Sequence, residues 1–409
     1  MIYLVTNQTK LFKSSIYELA TIFDSIAYLS TLEWVGVDTE TQGFDPFTKN
    51  LYTIQLGDRD NQYVIDLTTI SINYYKSLLE SKNLILQNAK FDLRFLYKNN
   101  IVPKGIIWDT FLAEVKLTQG QIGVYRNLGA LAKKYCNTEE VDKGNRGLIH
   151  YKGVYDDTVI NYCAKDVAFL HEIKDRQYIQ AIKLSVIKAI QLECEVVKAL
   201  AYVEFCGIYL DRNKWQSKVN ESQKLLIETI DELNQYIINT PKLHKFVDAQ
   251  LSLFSSERTV NINWASDKDV KKLFKEIGIN ILVTEKGVTK ESVESTVLLP
   301  QKDKFPILPI YLKYSKLAKE ISTYGESFLR HINPVTNRVH TSFTQIVNTG
   351  RMASGSKQGK EESPNLQNIP ADDRHRQCFV PQKEENILID CDYTGKLNYF
   401  GMIIEVVYI

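Results

Sequence analysis

Residues Val35-Gly36-Val37-Asp38-Thr39-Glu40-Thr41 constrain this chain more than any other stretch, because an apolar run ends in two carboxylates spaced i and i+2. On a β-strand that spacing sets both side chains on one face. Two like charges side by side repel, so a fold accepts them best with a cation between them. Hard carboxylate oxygens suit Mg²⁺ or Mn²⁺. Taken alone, Asp-x-Glu is also a common ending of a solvated strand.

Two later segments give the pair company. Leu84-Ile85-Leu86 reads as an apolar strand running toward Asn88 and Asp92, which share a face if a helix starts there. The stretch from Val159 sets Tyr162 and Asp166 at i and i+4 inside a long helical pattern. Strand, strand-to-helix and helix thus each contribute, and together they offer four carboxylates and one phenol.

In this order, Asp-x-Glu, Asn-x-x-x-Asp and Tyr-x-x-x-Asp resemble the proofreading 3′→5′ exonucleases built on four acidic residues and a tyrosine. The resemblance implies catalytic roles for Asp38, Glu40, Asp92, Tyr162 and Asp166, with the four acids as metal ligands and Asn88 as a DNA contact. It implies two Mg²⁺ (or Mn²⁺) ions, roughly 3.5–4 Å apart, as in other two-metal hydrolases. Asp38 would bridge them, Glu40 and Asp166 would hold the ion that activates water, and Asp92 would act on the second, partly through water. Tyr162, neutral, would orient the attacking water. The substrate would be a single-stranded 3′ end of DNA and the product a nucleoside monophosphate. Asp109 falls where such domains carry a structural aspartate. Phe44, Phe47 and Phe91 lie near the motifs as candidates for base stacking, with packing as their plainer reading.

Composition sets wide bounds. With 409 residues, 44% of them hydrophobic, the chain has enough apolar content for two or three cores. A net charge of +1 gives no bulk basic signal, although an acidic metal site offsets a basic groove elsewhere. The six cysteines (Cys136, Cys163, Cys194, Cys206, Cys378, Cys391) show no zinc spacing and read as reduced thiols of a cytoplasmic protein, host cytoplasm if the gene is phage-borne. No signal peptide and no apolar run near the roughly 20 residues of a membrane span stand out, so no membrane partner is expected.

Along residues 1–180, strand and helix patterns alternate, which argues for an α/β layer fold. Strands are expected at 34–38, 51–56, 63–66 and 84–86, and helices at 74–79, 91–97, 110–116, 127–134 and 156–174. The resemblance implies a ribonuclease-H-like exonuclease domain. From about 181 the texture turns helical; Gly207 is expected to end one helix, Asp211 and Ser266 to cap two others, and 302–330 to form a further helical stretch.

Glu204-x-x-Gly207-x-x-x-Asp211, the Asn263–Ser266 turn, Thr284-Glu285-Lys286-Gly287 and Ser322-Thr323-Tyr324 resemble, in order, the thumb of family A DNA polymerases. A more specific likeness follows in Thr349-Gly350-Arg351-Met352-Ala353-Ser354, then Pro364-Asn365-Leu366-Gln367-Asn368-Ile369-Pro370, then Arg376-x-x-Phe379. The resemblance implies a partial polymerase palm after a mainly helical thumb, with Arg351, Asn365, Gln367 and Arg376 gripping a primer-template duplex. Arg351 brings a fork of donors suited to the minor groove or a phosphate. Asn365 and Gln367, alternating on an extended segment, would both face the duplex, whose minor-groove acceptors are nearly sequence-independent. The link 355–363 is expected to be a mobile loop.

The expected organisation is therefore an exonuclease domain at 1–180, a thumb at 181–335, a partial palm at 336–395 and an atypical apolar tail at 396–409. Ile387-Leu388-Ile389-Asp390 reads as a buried strand leading to Asp392, which by resemblance would be one of two metal-binding palm aspartates. After Gly395 the family pattern fails, as read-through past an interruption in a phage-like gene would produce. The reading is thus a working exonuclease with no DNA synthesis by this chain alone. The alternatives are the first half of a split polymerase completed by a second chain, and a DNA-binding remnant without turnover.

Overall fold

The computed structural model describes residues 1–138, 156–252, 255–285, 287–347, 349–355, 357–358, 361–383 and 385–389. The first part forms seven strands: β1 (Ile2–Val5), β2 (Glu18–Leu19), β3 (Trp34–Thr41), β4 (Leu51–Gly57), β5 (Gln62–Asp66), β6 (Asn83–Leu86) and β7 (Ile107–Asp109). They make one mixed sheet in the order β2-β1-β5-β4-β3-β6-β7. β3 runs antiparallel to β4 and parallel to β6, and its register sets Asp38 opposite Gln55 and Glu40 opposite Thr53.

Helices cover both faces of this sheet. They are α1 (Ile22–Thr31), α2 (Lys76–Ser81), α3 (Lys90–Lys98), α4 (Thr110–Leu117), α5 (Leu128–Cys136), α6 (Asp157–Ala168), α7 (Leu170–Lys183) and α8 (Ile187–Cys206). Val35 and Val37 of β3 join the core built with Leu93 and Leu96 of α3 and Val197 and Ala201 of α8. The intervening positions face the other layer, where Val167 and Leu170 of α6 and α7 pack with Ile85 and Trp108. Gly36 makes that layer fit: a Cβ there would lie 3.3 Å from the Val167 carbonyl oxygen and 3.1 Å from that of Gly57. The missing side chain lets the end of α6 approach β3 closely, two residues before Asp38 and one after Asp166. The α/β architecture that the resemblance implies is present.

The chain divides into two compact units, one comprising Met1–Ile208 with Asn333–Asn368, the other Tyr209–Ile332 with the stretch from Ile369. The second unit is mainly helical. In it α9 (Arg212–Ile238) packs along α11 (Ile307–Tyr324), with α10 (Asp267–Ile277) and two hairpins, β8–β9 (Val247–Ser252, Ser255–Val260) and β10–β11 (Leu282–Glu285, Val288–Glu291). Leu233, Ile237, Phe274, Leu308 and Tyr311 belong to its core. Asp211 caps α9 by accepting from the Asn213 and Lys214 amides, and Ser266 caps α10 by accepting from that of Asp269. Gly207, at φ 58°, ends α8.

Several expectations need correction. Past the expected exonuclease boundary at 180, α8 adds Val197 and Ala201 to the first unit's core. The helix expected over 156–174 is two helices, because the Phe169 amide bonds the Val167 carbonyl and the chain turns there. The helix expected over 302–330 is confined to α11, followed by a 3₁₀ turn at Glu326–His331. The link 355–363 is not wholly loop, since Lys357–Gln358 pairs with Glu361–Glu362. Ile387, Leu388 and Ile389 are exposed and form no strand; an apolar run makes one only where a neighbour supplies backbone partners, and no described strand does.

Candidate active site

β3 delivers Asp38 and Glu40 to the face that α6 covers, and α6 delivers Asp166. One carboxylate oxygen from each lies within 4.8 Å of the others. Asp38 and Glu40 are half-buried, while Asp166 is buried. α6 forms because Asp156 caps it, accepting from the Val159 amide, and because Val159, Ile160, Cys163 and Val167 bury one side. Tyr162 sits one turn before Asp166 and is buried as well. Crowding three carboxylates at partly buried positions raises their repulsion, and a divalent cation relieves it. The donor set is all hard oxygen, so it fits Mg²⁺ or Mn²⁺ rather than a softer metal.

Asp92 stands apart from this trio. Thr39, between Asp38 and Glu40, alternates to the α3 side of β3 and donates to Asp92 Oδ1 at 2.5 Å. Burial, assisted by the nearby Asp109, pushes the Asp92 carboxyl up to about 7. Asp109 is equally enclosed. It accepts from the amides of Asn88 (3.1 Å), Ala89 (2.9 Å), Phe111 (2.9 Å) and Leu112 (3.3 Å). One carboxylate thereby caps α4 and ties the turn before α3, and burial still pushes it up to about 6. Asn88 occupies the left-handed region at φ 61°, which asparagine tolerates better than most residues.

The DNA-contact candidates fall in both units. Arg351, Asn365 and Gln367 are exposed in the first and Arg376 is exposed in the second. Asn365 and Gln367 do not alternate along an extended segment. Leu366–Asn368 is a 3₁₀ turn, Asn365 Oδ1 accepts from the amides of Gln367 and Asn368, and Gln367 Oε1 accepts from that of Ser354. Short polar side chains bond local backbone readily, and here that wins over extension. Phe47 stacks on Phe205 at 4.9 Å and lies equally close to His340, a packing role; Phe44 is exposed and meets Phe91 edge-on at 6.1 Å. Asp392, with the rest of 390–409, lies outside the described residues.

Two features escaped the sequence reading. Gln55 is fully buried on β4 opposite Asp38. In the amide orientation that satisfies both its atoms, it donates to Asp38 Oδ2 (3.3 Å) and to the Asp38 carbonyl (2.7 Å) and accepts from the Thr53 hydroxyl (2.5 Å). A glutamine inside the apolar run Ile54–Leu56 was the available signal. The second is Glu204 of α8, fully buried at its side chain, which pairs with Lys90 at 2.6 Å and Arg94 at 3.6 Å, both on α3. It also accepts from the Phe343 amide. The five described cysteines are free thiols; burial, then the charges of Glu40, Asp166 and Asp38, hold Cys163 well above its usual range.

Comparison with known proteins bears on both units. Residues 15–177 match the family model described as 3′-5′ exonuclease, and residues 231–396 match that of DNA polymerase family A. DNA polymerase I of Borreliella burgdorferi is 27% identical over 395 residues, which are 91% of this chain and 39% of that protein. DNA polymerase I of Caldicellulosiruptor bescii is 38% identical over 213 residues, 50% of this chain and 21% of that protein. The chain spans about two fifths of the length of the first of these, and less of the second. Among solved structures, the POL domain of Pol1 from M. smegmatis, in complex with DNA primer-template and dNTP, superposes with a TM-score of 0.66 at 19% identity. That likeness covers 94% of this chain and 59% of the other, and speaks for the fold. By sequence the chain is thus similar, in this order, to the 3′-5′ exonuclease family over residues 15–177 and to DNA polymerase family A over residues 231–396.

Proposed function

We propose that this chain hydrolyses single-stranded 3′ ends of DNA and releases nucleoside monophosphates. The observation that carries this reading is the convergence of Asp38, Glu40 and Asp166 within 4.8 Å, on a segment matching the exonuclease family model. In this reading these three acids would hold Mg²⁺ or Mn²⁺, and Asp92 would serve a second ion, partly through water. When bound, such ions neutralise charge on the phosphate and lower the pKa of water. Tyr162, one turn from Asp166, donates its hydroxyl proton in a hydrogen bond that orients the attacking water. The water oxygen bonds to phosphorus as the bond to the preceding 3′ oxygen breaks. Asn88 steadies the terminal nucleotide, and Arg351, Asn365, Gln367 and Arg376 contact a primer-template duplex. No described helix is long and apolar enough to cross a membrane.

The test is a 3′-labelled single strand incubated with Mg²⁺, with the full chain and with Asp38→Ala. The expected result is labelled mononucleotide from the parent and only background from Asp38→Ala. Equal release by both proteins, or none by either, defeats the reading.

A further inference from the structure

We propose that Gln55 is a positioning residue that fixes the Asp38 carboxylate for metal binding, an inference that rests on the exonuclease reading above. The strand pattern asks for an apolar side chain at this place: Ile54 and Leu56 flank it, and the residue is fully buried. A buried amide without partners costs several kcal/mol on the harsher transfer scales, so a glutamine here needs a reason. Its partners supply one. The reverse orientation would set the amide oxygen against two oxygens of Asp38, at 3.3 and 2.7 Å, which repel. The orientation that works turns both contacts into N–H donations and leaves the amide oxygen for the Thr53 hydroxyl.

The consequence follows from register. Gln55 and Asp38 face each other across the β3–β4 ladder, so the amide meets the aspartate at its backbone and its side chain together. That double hold restrains rotation of the carboxylate about its side-chain torsions. Gln55 touches no substrate; it sets the angle at which Asp38 meets Glu40 and Asp166. Residues that orient metal ligands in this way typically change affinity by about 10- to 100-fold when altered.

The experiment measures Mn²⁺ binding to the full chain by electron paramagnetic resonance, and the Mg²⁺ dependence of single-strand hydrolysis, for the parent, Asp38→Ala, Gln55→Met and Gln55→Asn. Gln55→Met keeps the length and removes the donor; Gln55→Asn keeps the amide but shortens its reach. Both are expected to weaken Mn²⁺ binding about tenfold. Both should raise the half-saturating Mg²⁺ concentration in parallel, with hydrolysis at saturating Mg²⁺ largely recovered. A merely structural role would lower the melting temperature without that split. If Asp38→Ala binds Mn²⁺ like the parent, the exonuclease reading itself fails. If Asp38→Ala loses binding while both Gln55 variants bind like the parent, that reading stands and the positioning role is overturned. Should Gln55→Met not fold, Gln55→Asn decides alone.

Discussion

Buried on α3, Asp92 holds a carboxyl that its surroundings push up to about 7. The folded state therefore binds this proton more tightly than the unfolded chain does, whose carboxyl titrates near ~4. The stabilisation is fully present below the unfolded value and is lost as pH rises through the folded one. Asp109, raised to about 6, acts in the same direction. In metal-free buffer the fold is thus expected to lose stability between about pH 4 and pH 7. Asp92→Asn keeps the shape and discards the charge. Its melting temperature should exceed the parent's by about 2–4 °C at pH 8 in EDTA, and the two should coincide at pH 4. Calorimetry at both values checks this; a difference of the same size at each would count against a buried, titrating Asp92.

Among the elements, α3 is bound to its surroundings through charge as well as apolar packing. Lys90 and Arg94 meet the Glu204 carboxylate of α8, and Lys90 also donates to the Phe343 carbonyl. Burial holds the Lys90 ammonium below its usual range despite the partner. Removing one member of such a group leaves uncompensated charge, which costs about 3–5 kcal/mol. Glu204→Leu is expected to lose that much in urea unfolding, and the triple change Lys90→Met, Arg94→Met, Glu204→Leu to recover most of it. A triple variant no better than the single one would show that the cations are not the cause. None of this was legible in the sequence, where Glu204 stood only as part of a thumb-like motif, because ion pairs between α3 and α8 leave no periodic trace. Strong local patterns fared better: β3, β4, β5, β6 and α3 to α5 lie where alternation and helical spacing put them. β1, β2 and β7 were missed, being two to four residues long and fixed by neighbours rather than by their own pattern. The break at Phe169 lacks glycine or proline to announce it. The pairing of Asp38 with Glu40 was legible because the strand period sets both on one face, while the convergence of Asp166 with them was implied only by the family resemblance. Gln55's partner was not, because it depends on which residues two strands set side by side, nor was Asp92's, because it depends on which strand position α3 packs against.

At the scale of the whole chain, each of the two units owns a core: Val35, Leu93 and Ala201 belong to one, Leu233, Phe274 and Tyr311 to the other. The acidic trio lies wholly within the first. A ligand stabilises only what it binds when folded, by RT ln(1 + [L]/Kd), about 2.7 kcal/mol at a hundredfold excess over Kd. Scanning calorimetry of the full chain is therefore expected to resolve two transitions, with Mn²⁺ raising one and leaving the other in place. Asp38→Ala should remove that shift without altering the second transition, whereas a change confined to the other core, such as Phe274→Leu, should lower the second alone. A single transition that moves as a whole with Mn²⁺ would mean that the units unfold as one cooperative body. The discontinuous path of the chain makes that outcome informative, since the first unit takes in Asn333–Asn368 while the intervening Tyr209–Ile332 belongs to the second.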